Sequence, residues 1–158
     1  ITVFMLSLSL GYLLGGRLSV NNPSLQRFAA IFALGAVLLY PLILFAEPVM
    51  EFIFLRVEDP RYGSLMASAF LFILPTVILG MISPYSVRLL VTKVEESGQV
   101  AGTLYFVSTL GSAIGTLMTS FYFILWFEVN TVLTLLTVVL LIVAGAAMLA
   151  ARRPLKSR

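Results

Sequence analysis

Apolar residues run along this chain in blocks about as long as a bilayer is thick, and polar residues gather between the blocks. A helix crossing the hydrocarbon core needs about 20 predominantly apolar residues. Five stretches meet or approach that length: about 1–15, 25–45, 64–84, 100–127 and 129–151. The first is closed by Gly16 and Arg17. Between the second and third lies PVMEFIFLRVEDPRYG, too short and too charged to cross, which reads as an interfacial turn of helix followed by a loop. Pro41, Pro75 and Pro84 fall within or at the ends of spans, where proline bends a helix and frees a carbonyl.

The stretch after the third span has a different period. In SPYSVRLLVTKVEESG, Val87, Leu90, Val91 and Val94 recur at helical spacing, with Arg88, Thr92 and Glu95 opposite. This predicts an amphipathic helix over about 85–97, lying on the membrane surface and ended by Gly98. It serves as a solvated connector and anchor, or as a docking surface for a soluble domain.

Composition fixes the class. Of 158 residues, 60% are hydrophobic and only 11% are charged. A soluble domain of this size has no interior large enough for so much apolar surface. The expected fold is therefore an all-α membrane helix bundle, a single unit over residues 1–151 with a short basic tail over 152–158. The chain has no cysteine and no histidine. That removes disulfides, thiolate ligands, the commonest general base and the commonest transition-metal ligand. No catalytic set, metal site, cofactor site or nucleic-acid surface is expected.

Charge sets the orientation. If the spans alternate, one side holds Arg17, Arg27, Arg88, Lys93, Arg152, Arg153, Lys156 and Arg158, with the acids Glu95 and Glu96. The other holds Arg56 and Arg61 among Glu47, Glu51, Glu58, Asp59 and Glu128. The positive-inside rule places the first set in the cytoplasm, with the N-terminus outside and the C-terminus inside. Ile1 is not Met and the first span is short, so the chain is expected to be a fragment that lacks an upstream helix.

Small residues supply the candidate packing sites. Ser7, Gly11 and Gly15 are spaced by four on the first span. On the fourth, Ser108, Gly111, Ser112, Gly115 and Thr119 make a smooth stripe. Small residues in register let helix backbones approach closely, which is how helices associate in lipid. The first and fourth helices are the expected partners, and an upstream helix or another protein is expected to cover Ser7, Gly11 and Gly15. The sharper alternative, a stripe lining a solute path, is the less favoured.

Other side chains carry weaker signals. Arg17 and Arg88 sit at inner ends of spans; Arg88 suits a phospholipid phosphate or a partner carboxylate, or simply snorkels to the interface. Tyr105 and Ser108 are expected to bond a carbonyl freed by Pro84, with a polar solute as the alternative. Trp126 and Tyr122 read as interface anchors. Arg152 and Arg153, with the rest of the tail, suit anionic lipid. Glu47, Glu51, Glu58 and Asp59 read as a solvated acidic face rather than a cation site.

Three stretches together carry a resemblance. SPYSVRLLV, GQVAGTLYFVSTLGSAIGT and TSFYFI hold Ser83, Pro84, Arg88, Leu89, Gly98, Gly102, Leu104, Tyr105, Ser108, Thr109, Leu110, Gly111, Ser112, Gly115 and Thr116. This run resembles the membrane region of bacterial fused spermidine synthase-like proteins. Gly11 to Ser19, GYLLGGRLS, is similar to a loop of that family and to a decayed loop of the major facilitator superfamily. The resemblance covers about Leu10 to Ile124. It departs at Trp126, Phe127 and Glu128, where the family often has Pro and Gly. It implies an upstream helix and, in many members, a cytoplasmic aminopropyltransferase-like domain. None of that domain's motifs is present here. The functional expectation is a membrane anchor or scaffold region whose partners are the bilayer, other transmembrane helices and a cytoplasmic soluble domain. The alternative is half of a major-facilitator-like transporter for a small cation or amphiphile, although no ionisable residue lies near the middle of a span.

Overall fold

A computed structural model describes residues 1–20 and 22–152, and these are all-helical. The tail residues Arg153, Lys156 and Arg158 lie outside the described residues. The main helices are α1 (Thr2–Val20), α2 (Leu25–Phe54), α3 (Pro60–Gly80), α4 (Ile82–Leu90), α5 (Ser97–Met118), α6 (Ile124–Trp126) and α7 (Val129–Arg152). A 3₁₀ turn, Val94–Glu96, precedes α5, and a π-helical segment, Thr119–Phe123, joins α5 to α6. Taking α3 with α4, and α5 with its flanking segments, five helices among the described residues are long and apolar enough to cross a membrane. Such a set is compatible with an integral membrane protein.

Local chemistry explains the helix starts. Ser24 caps α2, its Oγ accepting the Arg27 amide at 3.2 Å. Asp59 caps α3, its carboxylate accepting the Arg61 amide at 2.9 Å, and Pro60 takes the first helical position where no N–H is needed. Asn22 holds φ at 48°, the left-handed conformation asparagine tolerates better than most residues, and so lets the chain turn from α1 into α2.

The helices run further than the apolar blocks. The second was expected to end near Phe45, with an interfacial turn and loop beyond. Instead α2 continues through Pro48 to Phe54. Its last turns are held by tertiary contact: Ile53 is buried, and the Phe54 ring lies over Gly63 at the start of α3. At 30 residues α2 is about 45 Å long, so it outruns a hydrocarbon core of about 30 Å.

The third span and the surface helix also differ from expectation. Pro84 does not end the span. The helix breaks at Met81 and resumes at once as α4, with Pro84 in its first turn, where a missing N–H costs little. The amphipathic helix expected over 85–97 stops at Leu90. Val91 is extended, Val94 is 83% exposed, and Gly98 lies in the first turn of α5 rather than ending a helix. The apolar face of α4 turns instead on Tyr85, which is fully buried.

Packing order follows from the contacts. α7 lies along α2, α2 along α3, and α1 along α3 and α4. One core cluster joins Ala36, Leu39 and Leu42 of α2 to Leu140 of α7; a second joins Ile31 to Met81 and Tyr85. Of the other main helices α5 packs chiefly beside α4. A third of the apolar window of α2 is buried (33%), against 0% of that spanning α5.

Candidate functional site

The two small-residue faces have opposite fates. On α1, Ser7, Gly11, Gly15 and Ser19 are buried against α3 and α4. A Cβ on Gly11 would run into the Val77 carbonyl oxygen and come within 2.9 Å of the Gly80 Cα. A Cβ on Gly15 would lie 2.5 Å from the Met81 carbonyl oxygen. From the other side, a Cβ on Gly80 would sit 3.2 Å from both the Gly11 Cα and the Leu8 carbonyl oxygen. The two backbones therefore touch, and α1 runs parallel to α3. The first helix was expected to pair with the fourth, and its small face to be covered by an upstream helix or another protein. Both expectations are corrected: the cover is the α3–α4 segment of the same chain.

On α5, by contrast, a Cβ added at Gly102, Gly111 or Gly115 meets nothing within 4 Å. Ser108, Ser112 and Gly115 are exposed, and Thr119 opens the π-helical segment. At Gly111 and Gly115 this stripe has no partner among the described residues.

Where α1, α3, α4 and α5 converge, a groove of about 340 Å³ opens. Tyr12 of α1, Gly80 of α3, Ser83 and Ser86 of α4, and Ser108 of α5 line it. Leu8, Ile82 and Leu104 complete the apolar walls. The Ser86 hydroxyl is spent on the Ile82 carbonyl at 2.7 Å. Tyr12, Ser83 and Ser108 make no side-chain hydrogen bond within the described residues. Gly80 carries the carbonyl that Pro84, lacking an N–H, leaves without its usual donor four residues on. Tyr105 and Ser108 were expected to satisfy that carbonyl. Ser108 reaches the same groove without bonding it; Tyr105 does not line the groove and is 58% exposed.

Two other grooves are walled by apolar side chains, one by Phe52, Met66 and Phe70, the other between the proline-bearing turns at Pro41 and Pro75. Arg17, Arg88 and Arg152 are exposed and stand in the last turns of α1, α4 and α7. The way α1 and α2 lie against α3 and α4 puts Arg17, Arg27, Arg88 and Lys93 toward one end of the bundle. Glu47, Glu51, Glu58 and Asp59 stand at the other, and no cluster that could hold a metal ion forms among the described residues.

Sequence reasoning missed Tyr85. Its hydroxyl accepts the Ser24 amide at 3.0 Å and donates to the Ser24 carbonyl at 3.3 Å, while its ring stacks on Phe28. A tyrosine three residues before a basic residue carries no periodic signal for such a role. The link spans 61 positions and is visible only in the fold. No family model, no curated protein and no solved structure matches this chain.

Proposed function

We propose that this chain is a membrane-embedded anchor or scaffold that presents α5 to another transmembrane helix. One observation carries the reading: α5 is bare on its small-residue face while the equivalent face of α1 is covered. In lipid, close packing of small residues is a principal drive for helix association, and a stripe left open is a ready seat for a second backbone. The resemblance of residues 83–116 to spermidine synthase-like membrane proteins supports the same role, with a cytoplasmic soluble domain among the partners. The charge asymmetry supports an N-terminus outside and a C-terminus in the cytoplasm of a bacterial inner membrane.

The test is a photoreactive amino acid placed at Gly111 or Gly115, with Phe106 on the opposite side of α5 as control. Irradiation in the native membrane is expected to give protein adducts from 111 and 115 and lipid adducts alone from 106. Lipid adducts alone from all three positions reject the scaffold reading.

A second reading, half of a major-facilitator-like transporter, is favoured by the break at Met81, since discontinuous helices often line transport sites.

A further inference from the structure

The groove between α1, α4 and α5 has a chemistry that the scaffold reading does not use. Three of its hydroxyls, on Tyr12, Ser83 and Ser108, bond nothing among the described residues, and Pro84 withholds from the Gly80 carbonyl its usual donor. In a bilayer such groups are costly unless something bonds them, and irregular backbone at depth persists only beside protein or a polar cavity.

Depth and charge narrow the occupant. Tyr12 lies five residues before Arg17, and Ser83 five before Arg88, so both sit about 7.5 Å below the charged level of the bundle. No acidic or basic side chain lines the groove. A charged headgroup drawn to that depth would lose water without gaining a counter-charge. The occupant is therefore uncharged. The walls at Leu8, Leu104 and Val107 continue into the exposed apolar faces of α1 and α5, so it also carries a chain that remains in lipid. Finally, the bonding capacity is two-sided. Three hydroxyls can donate to ester carbonyls, whereas the Gly80 carbonyl requires a donor in return.

We propose that this groove binds the head of a neutral glyceride, a mono- or diacylglycerol, through Tyr12, Ser83, Ser108 and the Gly80 carbonyl. The free glycerol hydroxyl supplies the donor that the Gly80 carbonyl lacks, and the ester carbonyls accept from the side-chain hydroxyls. The acyl chain leaves between α1 and α5. Phosphatidylcholine has the esters but no hydroxyl, and its phosphate belongs at the level of Arg17 and Arg88. The inference rests on the helices lying in a bilayer and not on what covers Gly111 and Gly115, so it stands or falls separately from the docking of α5.

The experiment uses the full chain in phosphatidylcholine nanodiscs with a diacylglycerol bearing a photoreactive group near its head. Labelling is expected in the peptides around Tyr12 and Ser108, and unlabelled dioleoylglycerol competes it while added phosphatidylcholine does not. The triple variant Y12F/S83A/S108A loses labelling by about tenfold. Ser9→Ala and Thr103→Ala, whose hydroxyls are already bonded to Met5 and Gln99, leave it unchanged. Should the triple variant misfold, Tyr12→Phe alone is read for a fall of about threefold, with helicity checked by circular dichroism. Labelling spread evenly over the helices, unchanged labelling in the variants, or equal competition by phosphatidylcholine overturns the proposal.

Discussion

Glycine on a membrane helix has two meanings, and the surroundings of each residue decide between them. Gly11 and Gly16 stand on the same helix, five residues apart. A methyl group at Gly11 collides with the backbone of α3, whereas one at Gly16 meets nothing within 4 Å. The obstacle at Gly11 is carbonyl and Cα, which cannot rotate away as a side-chain end can. Gly11→Ala is therefore expected to lower stability by about 1–3 kcal/mol, as overpacking does. Gly16→Ala is expected to be neutral, or to stabilise by up to about 1 kcal/mol through helix propensity. Reversible unfolding in mixed detergent micelles measures both, and equal effects would mean that α1 and α3 do not touch at Gly11. Spacing alone makes Ser7, Gly11 and Gly15 look like Ser108, Gly111 and Gly115. A one-dimensional pattern marks the smooth side of a helix; it says nothing about what lies against it.

Elements joined out of sequence order are held by one polar latch. Tyr85 is buried, and its hydroxyl satisfies both the amide and the carbonyl of Ser24, at the cap of α2. That contact ties α4 to the α1–α2 turn and fixes how α4 leaves the break at Met81. Tyr85→Phe keeps the ring against Phe28 and strands the Ser24 amide in a partly buried site, while the Ser24 carbonyl keeps the Phe28 amide at 3.1 Å. The expected cost is about 1–3 kcal/mol. Amide exchange supplies the specific readout: the Ser24 amide is expected to lose protection in the variant while amides in the middle of α7 keep theirs. Loss everywhere, or nowhere, would deny the latch. Hydrophobic blocks and turn signals located all five long helices, because apolar length is a local property. The ends of α2 and α4 were misjudged for a physical reason. The second span was expected to end near Phe45 and the third near Pro84, but the Ile53 and Phe54 contacts carry α2 on to Phe54, and Pro84 takes a first-turn position in α4. Long-range contact set the end of α2, and the break at Met81 set the start of α4.

At the scale of the whole molecule, two asymmetries coincide. Among the described residues, Arg17, Arg27, Arg88 and Lys93 lie toward one end of the bundle, beside Glu95 and Glu96, while Arg56 and Arg61 lie toward the other among Glu47, Glu51, Glu58 and Asp59. The groove and the break at Met81 both lie toward the basic end. If the basic end faces the cytoplasm, a glyceride in the groove belongs to the inner leaflet, and α5 offers its open stripe across the membrane. Because the chain has no cysteine, sidedness can be read from single substitutions without background. Glu58→Cys, in the α2–α3 connection, is expected to react with an impermeant maleimide on intact cells. Lys93→Cys, in the α4–α5 connection, is expected to react only after lysis. The lone ion pair there, Lys93 Nζ to Glu96 at 3.8 Å, is well exposed, so its loss should scarcely change stability. A reversed pattern would turn the molecule over and move the groove to the outer leaflet with its chemistry intact. Labelling of both sites from one side would mean that the α3–α4 segment does not cross, and that the break at Met81 lies at a surface, where water rather than a lipid would satisfy the Gly80 carbonyl.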